Sequence, residues 1–346
     1  MKKEKWITVL KGYTIILVVL GHLLQGLDKS GIIHDKSIFN YIDYVIYSFH
    51  MPLFFLISGY LYKRNENIKT LKAYKLFVCK KTLNLAIPYF IFSVVQILIN
   101  ILFASEVNKA YDFSTLINIL VNPIPPFWFL YALLSIFIFI PILETLVGDV
   151  RILLLILLFL NLISLYINTP IYFVRAFTYW AFYFYMGSFI YKYVNLNLIS
   201  KKFMVSISIL FITDNVITYL FFNNKTNNLL NNINILTMAL LGICFSLVIL
   251  KYIILKNNIL CKVNNIVGEY SFQIFLLHTI FAAAIRVILL KLKINNFVIH
   301  FILGGASGIG LSMIVGYVSY KSVVLNMVFS PVNTINRIKG LSKTDK

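Results

Sequence analysis

Between Ile7 and Leu27 the chain reads ITVLKGYTIILVVLGHLLQGL, 21 residues, long enough to cross a bilayer core of about 30 Å as a helix. Nine further apolar stretches follow, near 39–62, 82–104, 127–146, 151–168, 172–193, 203–222, 233–255, 266–290 and 296–322. Inside lipid, each backbone N–H and C=O must be satisfied within its own segment, so repeated runs of this length point to a helical bundle. The expectation is an all-α, polytopic integral membrane protein with about ten transmembrane helices. Residues 1–323 are read as the multi-span domain and 324–346 as a basic cytoplasmic tail. A composition of 60% hydrophobic and 12% charged residues lies outside the range of soluble domains.

The formal net charge of +19 sits in the connections between apolar runs rather than on a soluble face. That distribution selects the lipid bilayer and its anionic headgroups as partner, and excludes nucleic acid. With the N-terminus inside, 22 of the 31 Lys and Arg fall in cytoplasmic segments and 7 outside, leaving Lys11 and Arg286 within spans. Both termini are therefore expected to be cytoplasmic. The first run keeps Lys11 and His22 and lacks an A-x-A site, so it is read as a span and not as a cleaved signal. No soluble domain is expected after the last span. Runs 127–146 and 151–168 nearly touch and predict a tight hairpin. Loops are expected around 105–126, with a short apolar piece at Leu116–Val121, and at the Asn-rich stretch 223–234. The small residues Gly304, Gly305, Ala306, Ser307, Gly308 and Gly310 predict close helix packing. Cys79, Cys244 and Cys261 have neither metal-ligand nor redox spacing, so no metal site and no disulfide are expected.

Polar groups inside spans cost several kcal/mol unless they face protein or water, which makes them functional candidates. Lys11 and His22 are eleven residues apart, so they return to within about 20° of one helical face, separated by about 16 Å. His50 lies near mid-span in DYVIYSFHMPLFFLISGYLYKRN, two residues before Pro52, where a helical hydrogen bond is lost. In GEYSFQIFLLH, Ser271 and His278 share a face and Glu269 lies nearly opposite. Each candidate has a structural alternative: a snorkelling lysine, a histidine bound to a freed carbonyl, a serine bridging helices. The basic run Lys63–Lys81 sets topology and also suits a phosphate-bearing cytoplasmic ligand. The sequence contains no G-x-S-x-G elbow, Walker A loop or H-E-x-x-H motif.

An ordered set of motifs resembles the membrane acyltransferase 3 family, the multi-span enzymes that O-acylate surface carbohydrates. LKGYTIILVVLGH carries its first-helix pattern, a basic residue (Lys11), ten residues and a histidine (His22). FHMPLFFLISGYLY, Phe49 to Tyr62, is similar to the second-helix signature of the branch that resembles fucose 4-O-acetylases. Pro126-Phe127-Trp128-Phe129-Leu130, Met186-Gly187-Ser188, and Gly268-Glu269-Tyr270-Ser271 running to Leu277-His278 follow in the family's order. One departure stands out. The family has an R-x-x-R element before a proline at the third span, and here KKTLNLAIPYF puts Lys81 and Asn84 in those places. Lysine lacks the bidentate fork and asparagine lacks charge, leaving Lys80 and Lys81 to compensate.

The resemblance implies a stand-alone O-acyltransferase, most simply an O-acetyltransferase, of a bacterial cell membrane. It would use cytoplasmic acetyl-CoA or another acyl-CoA as co-substrate, with no permanently bound cofactor. Its acceptor would be a cell-surface glycan, exopolysaccharide or lipid-linked sugar. On this reading Lys11, Lys80, Lys81 and Asn84 bind the donor, His22, His50 and His278 are the catalytic candidates, and Ser271, Trp128 and Glu269 support the acceptor. His22 would act as general base or as a transient acyl carrier. The competing expectation is a transporter or flippase for a glycan or lipid intermediate, using the histidines as proton relays; the internal repeat such proteins often carry is not found.

Overall fold

The structure, a computed structural model, describes residues 5–65, 68, 70–103, 111–167, 169–195, 200–221 and 228–340. Among these residues the chain is helical, with no strand. The main helices are α1 (Lys5–Lys29), α2 (Lys36–Asn65), α3 (Leu71–Leu102), a short α4 (Thr115–Asn118), α5 (Trp128–Val147), α6 (Val150–Ile163) and α7 (Tyr172–Tyr193). They continue with α8 (Lys201–Phe221), α9 (Asn228–Ile249), α10 (Asn258–Glu269), α11 (Ser271–Lys291), α12 (Phe297–Lys321), α13 (Val323–Phe329) and α14 (Pro331–Ile338). Parts of the expected loops 105–126 and 223–234 lie outside the described residues.

Eight described helices are long and apolar enough to cross a membrane: α1, α2, α3, α5, α8, α9, α11 and α12. Of the ten expected spans, two fall short of that measure. Helix α6 has only 14 residues. Helix α7 has 22, but Arg175, Lys192 and its many tyrosines lower its hydropathy. Its interior place explains that composition, because α7 lies in the core against α2. The two helices meet at Gly59 and Gly187, where an added Cβ would overlap the backbone carbonyls of Phe184 and Leu56. Ser188 Oγ donates to the Gly59 carbonyl at 3.1 Å across the same contact.

Side-chain pairings fix the directions of the helices. Helix α2 runs antiparallel to α1, since Gln25 meets Asp43 and Trp6 meets Tyr60. Helix α3 turns back, with Tyr62 on Phe77. Helices α5 and α7 both run parallel to α2: Phe55 packs on Phe129 and Trp180, whereas seven residues on Tyr62 packs on Phe137 and Phe184. Helix α6 must therefore return between them. The expected hairpin is present, turning at Gly148 (φ 74°, open to glycine) and at Asp149, whose carboxylate accepts from the N–H groups of Arg151 and Ile152. The small-residue stripe of α12 packs as expected, with Gly304 on Leu23, Gly308 on Val19 and Gly316 on Tyr270.

The stretch 266–290 is not one helix. A π-helical turn at 250–254 ends the preceding span, and Asn257 then caps α10 by accepting from Ile259 and Leu260 N–H. Asn264, Asn265, Lys262 and Glu269 make α10 too polar for a span, and the chain breaks at Tyr270 before α11. Glu269 is thus on a different helix from Ser271 and His278. Helix α10 crosses α1 where Gly12 meets the Asn264 carbonyl and Gly268 meets that of Thr8.

The segment read as a basic tail is folded over much of its length. Helices α13 and α14 turn back onto α3, burying Phe329 against Phe92 and Val332 beside Asn84. Its last residues, 341–346, lie outside the described residues.

Candidate active site

The three candidate histidines, His22, His50 and His278, come from α1, α2 and α11, and the bundle gathers two of them directly. The rings of His22 and His278 lie 5.2 Å apart, centroid to centroid. Tyr47 stands between His22 and His50: its hydroxyl is 3.3 Å from His22 Nδ1, and its ring meets that of His50 edge-on at 4.7 Å. Sequence reasoning missed Tyr47. The signal was available, since Asp43, Tyr47 and His50 are spaced i, i+4, i+7 and so share a helical face.

Hydrogen bonding sets the tautomers. A carbonyl oxygen only accepts, so an imidazole nitrogen facing one must carry the proton. His50 Nδ1 donates to the Ile46 carbonyl at 2.7 Å, and His278 Nδ1 donates to that of Ile274 at 2.8 Å. Each is a carbonyl four residues back in the same helix, so His50 does not use the one that Pro52 frees. When neutral, both residues present Nε2 as a bare acceptor. His278 Nε2 is buried and has no hydrogen-bond partner among the described residues. Beside this group, Gln25 Nε2 donates to both oxygens of Asp43, at 3.1 and 3.3 Å, one turn from Tyr47.

The remaining candidates lie elsewhere. Lys11 is half-buried, at the other end of the α1 face that carries His22. Ser271 is half-buried at the start of α11, about 10 Å along the helix from His278. Glu269 is exposed and accepts from Asn265 Nδ2 at 2.8 Å. Both therefore sit towards the Lys11 end of the bundle. Trp128 belongs to an aromatic cluster, 5.1 Å from Trp180 and 6.3 Å from Phe55. Lys80 and Lys81 do not converge. Lys80 is exposed, whereas Lys81 Nζ lies 4.2 Å from the Phe137 ring centroid. The side-chain Oδ1 of Asn84 accepts from Val332 N–H at 3.1 Å and so caps α14.

Lys63, first of the basic run, is paired with Glu144 at 2.9 Å, and Tyr62 donates to the same carboxylate at 2.8 Å. Beside this pair lie two adjoining cavities of about 610 and 230 Å³ that share Ile68, Pro141 and Thr145. The larger is mainly apolar, with Leu71, Tyr74 and Leu146; the smaller is lined by Lys63, Lys192 and Asp149. Among the described residues no group of three or more His, Cys, Asp or Glu is arranged to hold a metal ion.

Residues 4–317 match the sequence profile of a family described as an acyltransferase domain. The chain is also similar to nodulation protein NolL of Mesorhizobium japonicum, with 31% identity over 135 residues. That match covers 39% of this chain and 34% of NolL, so the likeness spans about a third of the relative's length. No solved structure matches the chain.

Proposed function

The chain belongs to the acyltransferase 3 family, and from that premise we propose that it moves an acyl group from cytoplasmic acyl-CoA to a hydroxyl of a carbohydrate acceptor. The observation that carries this reading is the arrangement around His22. One nitrogen of that imidazole is held by Tyr47, and its ring lies 5.2 Å from that of His278, whose Nε2 is buried and unpartnered among the described residues. With Nδ1–H of His22 donating to the Tyr47 hydroxyl, Nε2 is left as a base. Two neighbouring lone pairs suit a vicinal diol, the commonest feature of a sugar: one hydroxyl reacts through His22 while the next donates to His278.

The chemistry then balances in one step. His22 Nε2 takes the proton of the acceptor hydroxyl as the oxygen bonds to the thioester carbonyl carbon. The carbon–sulfur bond breaks, and the leaving thiolate takes that proton from the imidazolium to give free CoA. Acetyl is the simplest group consistent with the family. For the donor, Lys11 lies on the His22 face about 16 Å away, a span suited to a pantetheine arm with its phosphates at the Lys11 end. The cavities between α3 and α5 open at that same end, beside Lys63 and Lys192. In this scheme that end is cytoplasmic and the acceptor reaches the histidines from the other side.

The test is transfer of labelled acetyl from acetyl-CoA by protein purified in detergent. His22→Ala is expected to lose about 10²–10⁴ in rate, the usual worth of a general base, while still binding acetyl-CoA. His22→Asn, which keeps a hydrogen-bonding group, should be as inactive. A His22→Asn protein transferring acetyl at near wild-type rate would end the mechanism.

A further inference from the structure

Beyond His22, towards the Lys29 end of α1, the bundle holds a guanidinium for which the reaction above has no use. Arg286 of α11 lies over the backbone of Gly26, so closely that a Cβ at Gly26 would collide with Arg286 Nη1. Gly26 is one helical turn beyond His22, and His22, Gly26 and Lys29 follow the i, i+4, i+7 spacing of one face. The guanidinium therefore lies about 6 Å further along α1 than the imidazole. Arg286 and Gly26 are both half-buried, neither sealed in the core nor on the open surface.

A guanidinium between helices ordinarily has a carboxylate beside it, because leaving a charge unpaired in such a place is costly. The acids nearest along α1 and α2 are otherwise engaged. Asp28 pairs with Lys36 at 3.2 Å. Asp35 accepts from both the backbone N–H and the hydroxyl of Ser37. Asp43 is held by Gln25. Among the described residues, no carboxylate lies within ion-pair distance of Arg286, and no hydrogen bond is formed by it.

We propose that Arg286 is the docking point for an anionic group, carboxylate or phosphate, on the acceptor, held one turn beyond the hydroxyl that reacts at His22. The planar fork of arginine matches either group with two parallel hydrogen bonds. Lys29, exposed on the same face three residues beyond Gly26 along α1, adds a second positive charge. Gly26 leaves the space beside α1 that Arg286 Nη1 occupies. The acceptor class so defined is an acidic sugar or a sugar phosphate. This assignment rests on the acyltransferase reading only for the word acceptor; the anion site itself stands on Arg286 and its surroundings.

The full protein, in nanodiscs of phosphatidylcholine alone, is treated with phenylglyoxal, and modification of Arg286 is followed by peptide mass spectrometry. Methyl glucuronide and glucose 1-phosphate at saturation are expected to slow that modification about tenfold or more, on the scale of a charge-assisted pair. Methyl glucoside, the same ring without the charge, should leave it unchanged. Arg151 and Arg337, remote from the site, report general effects of the additives on the reagent. No modification of Arg286 in any arm, or equal protection by methyl glucoside, would overturn the proposal. Protection by added phosphatidylglycerol with none from the anionic sugars would assign the site to a lipid headgroup and overturn it as well. Turnover plays no part in this readout, so an inactive preparation would count against the acyl-transfer mechanism and not against the anion site.

Discussion

Replacing Tyr47 with phenylalanine isolates one hydrogen bond. The Tyr47 ring meets His50 at 4.7 Å and His22 at 6.0 Å, and phenylalanine preserves both contacts. What disappears is the hydroxyl, 3.3 Å from His22 Nδ1. A neutral hydrogen bond of this kind contributes about 0.5–1.5 kcal/mol. If that energy holds His22 in the tautomer and orientation needed for its base, Tyr47→Phe should lower acyl transfer about two- to tenfold. The KM for acyl-CoA should not change, because the donor's phosphates are expected at the Lys11 end. The decisive assay is a double-mutant cycle with His22→Ala, comparing transfer rates at matched protein levels. Tyr47 acts through His22, so adding Tyr47→Phe to His22→Ala should cost nothing further. An unchanged single mutant would refute the positioning role. So would a double mutant slower than His22→Ala by the same two- to tenfold factor, since Tyr47 would then act independently.

Gly12→Ala should destabilise the protein by about 1–3 kcal/mol, the usual cost of overpacking, because its Cβ would meet the Asn264 carbonyl. Gly310→Ala, where nothing lies within reach of a Cβ, should be neutral or stabilising, and thermal unfolding in detergent compares the two. Asn84→Ala removes the acceptor that caps α14 from α3, worth about 0.5–2 kcal/mol locally. Limited proteolysis should then cut faster between Ser330 and Lys339, and an unchanged pattern would show that apolar contacts alone hold this helix. For orientation, a cysteine placed at exposed Lys293 should react with an impermeant thiol reagent on intact cells, whereas exposed Cys79 should not. The opposite pattern would invert the assignment of sides.

Much of this architecture was open to a reader of the sequence because membrane spans are a one-dimensional code. An uninterrupted apolar run must close its own hydrogen bonds, so the all-helical, multi-span class and the rough limits of most long helices followed from hydropathy. The placement of Lys11 and His22 on one face followed from helical periodicity alone. The motifs around His22, His50 and His278 also carry the resemblance to the acyltransferase 3 family within the sequence itself.

Hydropathy failed where polarity was hidden by the bundle or by a neighbouring run. Helix α7 has the limits its apolar run gave, but its place in the core against α2 is set by Gly59 and Gly187 together. Only the last turn of α10, residues 266–269, was joined to the following span; its polar first part read as a connection, and Gly268, buried against α1, did not mark the break at Tyr270. The basic residues of the C-terminal segment concealed Phe329 and Val332, which anchor it to α3. The candidate site depended still more on tertiary structure. Tyr47 reaches His22, Asp43 reaches Gln25, and Arg286 reaches Gly26, only because α1 packs against both α2 and α11. Periodicity states which face of a helix a residue occupies. Which helix stands opposite is decided by the packing of all of them at once, and no single segment encodes it.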